Sequence, residues 1–297
     1  QHQPGKGDDG ADQGSAMKTI WLVYESDNVE RNRFFIEQWQ KAARHEVVRI
    51  HLVLYKELVF GIKEGRFWLA HTGGLPPPDA AVMRLNQPFL SAHLEAMGIP
   101  VFNNAQVARI CNDKRLTHQL ASSIIPAMDT VFLRGDETDS PLPYPVVVKA
   151  VSSCGGRKVF LVENQQAFQA ALAAAAPDKV LVQALCDTPG KDVRAYVLGK
   201  EIIAVMMRYS QHDFRSNLGQ GGSAEPYRLN AREEQIVHKL MDTMDFGLAG
   251  IDFLLHRGRL MFNEIEDAVG TRMLFAHGHD DIVHRYLRFI LNTFEKK

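Results

Sequence analysis

The sequence predicts an α/β N-terminal domain followed by a larger α+β portion, and three observations predict it. Through about residue 104, short apolar or β-branched runs alternate with amphipathic stretches, the pattern of a small parallel sheet covered by helices. From Asp187 the runs lengthen and pair across tight turns, as antiparallel strands do. The third is bulk: 297 residues, 45% hydrophobic and 23% charged, supply two or three compact cores and exclude a disordered chain.

The polar, glycine-rich residues 1–16 are read as an expression leader and set apart. "KTIWLVY" (18–24) is a buried strand, and "ESDN" can cap a helix in "VERNRFFIEQWQKAAR". "EVVRIHLV" and "PDAAVMRL" are further strands, "FLSAHLEAMG" a helix closing at Gly98, and "IPVFN" a last strand, so residues 17–104 form one unit. "NAQVARICNDKRLTHQLASS" is expected as a single helix. "PYPVVVKAV" and "GRKVFLVEN" are two strands around a glycine loop, "QQAFQAALAAAA" is a helix stopped by Pro177, and "KVLVQAL" is a strand. "DVRAYVLG" and "KEIIAVMMRY" pair across Gly199-Lys200, "AREEQIVHKLMDTMDFG" is helical, and "LAGIDFLL" and "RLMFNEIE" pair across "HRG".

With 34 Lys plus Arg against 35 Asp plus Glu, the chain carries no general attraction for nucleic acid or an anionic membrane, so neither is expected as a partner. Cys111, Cys154 and Cys186 lie far apart, which indicates neither a disulfide framework nor a zinc knuckle and fits a reducing cytoplasm. No apolar run reaches the length of a membrane span.

Chemistry is carried first by Asp252, Glu264 and Glu266. An odd-numbered "HRG" loop would put all three on one face of a hairpin, with Ile251, Phe253, Met261 and Ile265 on the other. Clustered carboxylates repel unless cations lie between them, and hard oxygen donors suit Mg²⁺ on substrate phosphates; arginine partners on a solvated sheet are the plain alternative. The basic residues are Lys114, Lys149, Arg194 and Arg208. Lys149 ends the run Val146–Val148, so strand packing would hold its stem, and Gly155 and Gly156 let backbone approach a ligand. Asp192 and Arg194 share a strand face and alone would read as an ion pair. The polar stretch 206–226 is long enough to be functional. "GQGGSA" (219–224) lacks the strand and helix of a dinucleotide site, "HGHDD" (277–281) lacks the last histidine of a metal motif, and neither GxxxxGK[ST] nor GxSxG occurs.

In this order, "NDK", "VVVK", a glycine loop, "VLVQAL", "GKDVRAYVLG", "AVMMR", "NLGQGG", "GLAGIDFL" and "FNEIED" resemble the ATP-grasp superfamily, in its branch of RimK-type amino-acid ligases, over about residues 100–275. The resemblance implies an ATP-grasp fold of two α+β subdomains clasping ATP: residues 105–186 with the glycine lid, and residues 187–297 with the metal site. It implies Lys114 and Lys149 at phosphate, Gly155 and Gly156 over it, Gln183 and Leu185 at the adenine hinge, and Asp192 near ribose or an oriented lysine, followed by Arg194. Arg208 would reach the transferred phosphate, and Asn217, Gly221 and Gly222 would close on substrate. Asp252 and Glu264 match metal ligands, with Glu266 where the branch has Asn; two Mg²⁺ are implied, with Mn²⁺ as the alternative. Ala184 stands where an acidic residue often follows the hinge glutamine.

The implied activity is ATP-dependent carboxylate-amine ligation through an acylphosphate, on an amino acid or peptide. Phosphotransfer, a non-amine acceptor, or a nucleotide-binding module without turnover are the alternatives. Arg84, Arg215 and Arg272 are candidates for an acceptor carboxylate, with a surface or ion-pair arginine as the plain alternative for each. The two substrates and a homo-oligomeric state are left open by the sequence.

Overall fold

The computed structural model describes residues 16–152, 156–216 and 222–296. The expected leader, except residue 16, and Gly155, Asn217 and Gly221 lie outside the described residues. Strand β1 (Thr19–Tyr24) runs through the centre of the first sheet, and its buried side chains supply two cores, one on each face. Helix α1 (Arg33–Glu46) starts four residues later than expected, because two 3-10 turns occupy Ser26–Asn28 and Glu30–Asn32. It buries Phe35, Ile36, Trp39, Ala42 and Ala43, one face at helical spacing. After β2 (Arg49–Leu54) comes a hairpin that the sequence reading did not include, β3 (Leu58–Lys63) and β4 (Arg66–His71). Glu64 and Gly65, at φ 50° and 73°, give its two-residue turn a left-handed backbone. Then β5 (Ala80–Met83), α2 (Pro88–Ala96) and β6 (Val101–Phe102) complete a parallel sheet in the order β2-β1-β5-β6.

The single helix expected over 104–123 is two, α3 (Ala105–Cys111) and α4 (Lys114–Ser122). Asp113 breaks it: its side chain accepts from the Arg115 amide at 2.9 Å, a cap that starts a new helix at Lys114. Strands β7 (Thr130–Phe132), β8 (Val146–Ala150) and β9 (Val159–Val162), helix α5 (Gln165–Ala175) and strand β10 (Val180–Ala184) follow, in an antiparallel sheet of order β7-β10-β8-β9. Val146, Val148, Val180 and Val182 pack with Phe168 of α5, so the period of two turns Val147, Lys149 and Gln183 to the other side.

The last sheet is built from β11 (Lys191–Leu198), β12 (Glu201–Tyr209) and β13 (Ser223–Pro226), then, after α6 (Ala231–Met241), β14 (Leu248–His256) and β15 (Arg259–Glu266). Its order is β13-β12-β11-β14-β15. Helices α3 and α4, expected with the glycine-loop unit, give Val107 and Ala121 to this sheet's core. After α7 (Arg272–Ala276), the final helix α8 (Ile282–Glu295) returns to the first sheet, where Tyr286 meets Trp39 with ring centres 5.3 Å apart.

The β14–β15 hairpin corrects one expectation and keeps its consequence. Its loop is two residues, Arg257 and Gly258, at φ 51° and 71°, so His256 pairs with Arg259 in an even register. Continued, that register would set Asp252 opposite Asn263 and turn Glu264 into the core. A bulge intervenes: Phe253 pairs with Phe262, yet Asp252 pairs with Glu264, leaving Asn263 as the extra residue. Phe262, rather than the expected Met261, takes the core face with Ile251, Phe253 and Ile265.

Candidate functional site

Between the β7-β10-β8-β9 sheet and the five-stranded sheet lies a cleft open to solvent, with about 850 Å³ of space between its walls when the open mouth is included. Lys114, Lys149, Gly156, Gln183, Leu185, Asp192, Arg208, Glu264 and Glu266 line it, each singled out from sequence. So do Arg215, a carboxylate candidate from sequence, Ala184 and Cys186 beside the expected hinge, and Phe214 and Asn263, which sequence reasoning did not place there.

One wall is ionic. Arg194 grips Asp252 bidentately, Nε to Oδ1 and Nη2 to Oδ2 at 2.7 Å each, and its Nη2 lies 2.8 Å from Glu266. Arg208 grips Asp192 in the same way, at 2.7 and 2.5 Å, and reaches Asp252 at 2.9 Å. Asp192 is therefore the bonded partner of Arg208, not of Arg194, because antiparallel β11 and β12 set Asp192 opposite Arg208, while it lies near enough to Lys149 to favour that lysine's charge. Arg194 does not face the cleft; opposite Asp252 on β14, it is buried behind it. It also answers the extra charge of Glu266, since one guanidinium spans both acids.

These contacts set the protonation states. Burial pushes the Asp252 carboxyl up, but Arg194 and Arg208 outweigh it and hold the group below the usual range. Burial wins at Asp192 and Glu266, whose carboxyls are raised despite Arg208 and Arg194. Each guanidinium loses to burial and gains more from its acids, so Arg194 and Arg208 both stay charged.

The other wall holds a lysine by neutral groups. Lys149 Nζ donates to Gln183 Oε1 at 2.9 Å and to Asn263 Oδ1 at 2.7 Å, and Gln183 in turn donates to Thr130 Oγ1 at 3.0 Å. Gln183 thus presents its side chain to Lys149. Burial pulls the lysine down to about 8, offset in part by Glu264. Lys114 opens helix α4 with its Nζ 3.4 Å from Glu264. One turn on, His118 is buried against Phe262, and burial together with the two lysines pulls it down to about 3, so it is neutral.

Asp252, Glu264 and Glu266 offer carboxylate oxygens that all lie within 4.8 Å of one another. Three hard oxygen donors at that spacing fit a divalent cation such as Mg²⁺. Glu264 and Glu266 are the members on the cleft surface; Asp252 is fully buried behind them.

Other expected residues lie elsewhere. Arg272 is exposed at the start of α7 and Gly222 precedes β13, neither among the cleft-lining residues. Arg215 pairs with Asp213 at 2.8 Å and donates from Nη1 to the Gly156 carbonyl at 3.0 Å, joining two loops at the cleft mouth. Arg84 is buried just past the carboxyl end of β5, donating to the Val269 carbonyl at 2.9 Å. The residue missed with most consequence is Asn263: the polar side chain in "MFNEIED" was visible, but the bulge that aims it at Lys149 was not.

A family model described as a RimK-like ATP-grasp domain matches residues 118–290. The chain is 29% identical over 206 residues to a "Probable alpha-L-glutamate ligase" of Nitrosococcus oceani, covering 66% of this chain and 68% of that protein. It is 29% identical over 199 residues to a protein of the same name from Parasynechococcus marenigrum, covering 61% of this chain and only 41% of that longer protein. Among solved structures, a RimK domain protein from Sphaerobacter thermophilus superposes with a TM-score of 0.70 at 22% identity, over 92% of this chain and 99% of the other. At that identity the likeness shows the fold.

Proposed function

The chain belongs to the RimK-like ATP-grasp family, and from that premise we propose that it is an ATP-dependent ligase joining a carboxylate to an amine through an acylphosphate. One observation carries the proposal: the two lysines and the acidic cluster, far apart in sequence, line a single cleft. A triphosphate fits that arrangement because it needs cations from the protein on one side and acids to hold its metal on the other.

In this reading the adenine end lies along Gln183–Cys186 and the phosphates lie between Lys149 and Glu264. Glu264 and Glu266, with Asp252 behind them, hold Mg²⁺, which when bound neutralises phosphate oxygens. The substrate carboxylate attacks the terminal phosphorus, and ADP leaves. The amine then attacks the acyl carbon, inorganic phosphate leaves, and an amide remains. Lys149, Lys114 and Arg208 offset charge that builds on the transferred phosphoryl oxygens, and their fixed partners spare them reorganisation during the reaction. Gly156 and Arg215 narrow the cleft mouth, which limits hydrolysis of the acylphosphate by water. No side-chain nucleophile is required.

The name shared by these relatives makes an amino acid such as glutamate the first substrate to try. The test is ADP release with Mg²⁺ and ATP over the twenty amino acids and a dipeptide set, with products weighed by mass spectrometry. An amide product formed in step with ADP is the expected result. ADP released with a phosphorylated product and no amide would replace ligation by phosphotransfer.

A further inference from the structure

We infer that Arg84 and Tyr24 form a subsite for the α-carboxylate of the amino acid that supplies the amine; its chemical class rests on the ligase reading above. The first support is topological. In the sheet order β2-β1-β5-β6, the chain leaves β1 towards β2 and returns on the other side to β5, so the direction of winding reverses between β1 and β5. Ligands of open parallel sheets bind outside the carboxyl ends of the strands at such a reversal. Met83 pairs with Val23, and the Arg84 amide donates to the Val23 carbonyl at 2.9 Å, so Arg84 and Tyr24 sit side by side at those two carboxyl ends.

The second support is chemical. Arg84 is 9% exposed and Tyr24 1%; neither the Arg84 Nε nor the Tyr24 hydroxyl makes a hydrogen bond of normal geometry, and what the hydroxyl faces is the Arg84 guanidinium, which offsets part of the rise that burial gives its pKa. Arg84 makes no ion pair with a carboxylate among the described residues, although Arg194 and Arg208 both do. Its guanidinium is held in place by stacking on the Phe35 ring, 4.7 Å to the centre, and by the Val269 carbonyl. The nearby Asp267 carboxyl bonds to the Asn112 amide instead, at 3.2 Å. Two donors facing each other without an acceptor between them leave hydrogen-bonding capacity open, and a planar carboxylate can accept from both the guanidinium and the hydroxyl.

The third support is place. Val269 follows Glu266 by three residues, and its side chain lies beside the stem of Arg194 over Gly250. Arg84 therefore closes on the segment that leaves the acidic cluster. A carboxylate here is not the one being phosphorylated, which must lie against Arg208 and the phosphates. The choice of substrate follows: an amino acid giving its carboxylate keeps an ammonium, which Arg84 repels, whereas one giving its amine keeps a carboxylate.

The experiment compares each of the twenty amino acids with its α-amide, by thermal stabilisation of the full chain and by KM in the ADP-release assay. It uses wild type, Arg84→Gln, Arg84→Lys and Tyr24→Phe. Wild type should prefer an acid over its amide, and Arg84→Gln should raise KM for that acid roughly 10- to 100-fold while leaving the amide unchanged. Arg84→Lys should recover part of the preference. Tyr24→Phe should weaken the acid roughly 2- to 10-fold while leaving the amide unchanged. A wild type indifferent to amidation, or an Arg84→Gln variant that loses acid and amide equally, overturns the subsite. Absence of ADP release with every amino acid would instead sink the ligase reading, and the stabilisation arm would still decide the subsite.

Discussion

The two walls of the cleft hold their charges by opposite means. On the five-stranded sheet, Asp192, Asp252 and Glu266 are matched with Arg194 and Arg208 in a buried network with bidentate geometry. On the opposing sheet, Lys149 is equally buried but rests on the neutral amides of Gln183 and Asn263. The first arrangement sets three acids against two arginines, so it serves rigidity, orients the carboxylates and keeps negative charge in reserve for a cation. The second fixes a cation without cancelling it, leaving positive charge for a phosphate. Removing a charge from the first wall should therefore cost the fold, and removing one from the second should cost the chemistry.

The largest expected effect breaks the ionic wall. Asp252→Ala deprives two buried arginines of a shared partner, Arg194 keeping Glu266 and Arg208 keeping Asp192. Breaking a buried pair from one side costs about 3–5 kcal/mol when the other charge is left alone; each arginine here keeps one acid, so a loss at the lower end, about 3 kcal/mol, is expected. Urea unfolding should read that loss together with loss of ADP release. A stability change under about 1 kcal/mol would mean that solvent already screens the network, and the contrast between the walls would fail.

Lys149→Ala is the matching change on the other side. ADP release should fall by roughly 10²- to 10³-fold, the usual effect of deleting one preorganised charge donor, while the melting temperature holds or rises as a desolvated ammonium is removed. A large drop in melting temperature would make Lys149 a structural residue and its two amides a scaffold.

This division was only partly legible in the sequence. The parallel sheet, the strand that carries Lys149 and the paired strands of the acidic cluster all follow from side-chain periodicity, which local sequence displays. The partners within the site do not. Asp192 and Arg194 stand two apart and read as a pair, but a sheet joins neighbours across strands, so Asp192 went to Arg208 and Arg194 to Asp252. The β3–β4 hairpin was hidden because its strands carry exposed Val59, Ile62 and Phe67 and lack a clean alternation. The bulge at Asn263 left no trace either: only the pairing of Asp252 with Glu264, fixed by packing of Phe253 and Phe262, reveals it.

The smallest effect sharpens the comparison, because pH between 7 and 10 titrates one wall alone. Lys149, pulled down to about 8 from 10.5 by burial, loses its proton in this window, while Asp252 is held below the ordinary carboxylate range. The free enzyme's kcat/KM for ATP should thus fall as pH rises through about 8, approaching roughly tenfold per unit. Stability should move the other way. Between pH 8 and 10.5 the unfolded chain binds more protons at this lysine than the folded one, so the penalty of its burial is relieved as pH rises. Both trends should vanish in Lys149→Ala. A kcat/KM for ATP flat from pH 7 to 9.5 in wild type would mean that Lys149 keeps its proton, and that Glu264 neutralises this wall after all.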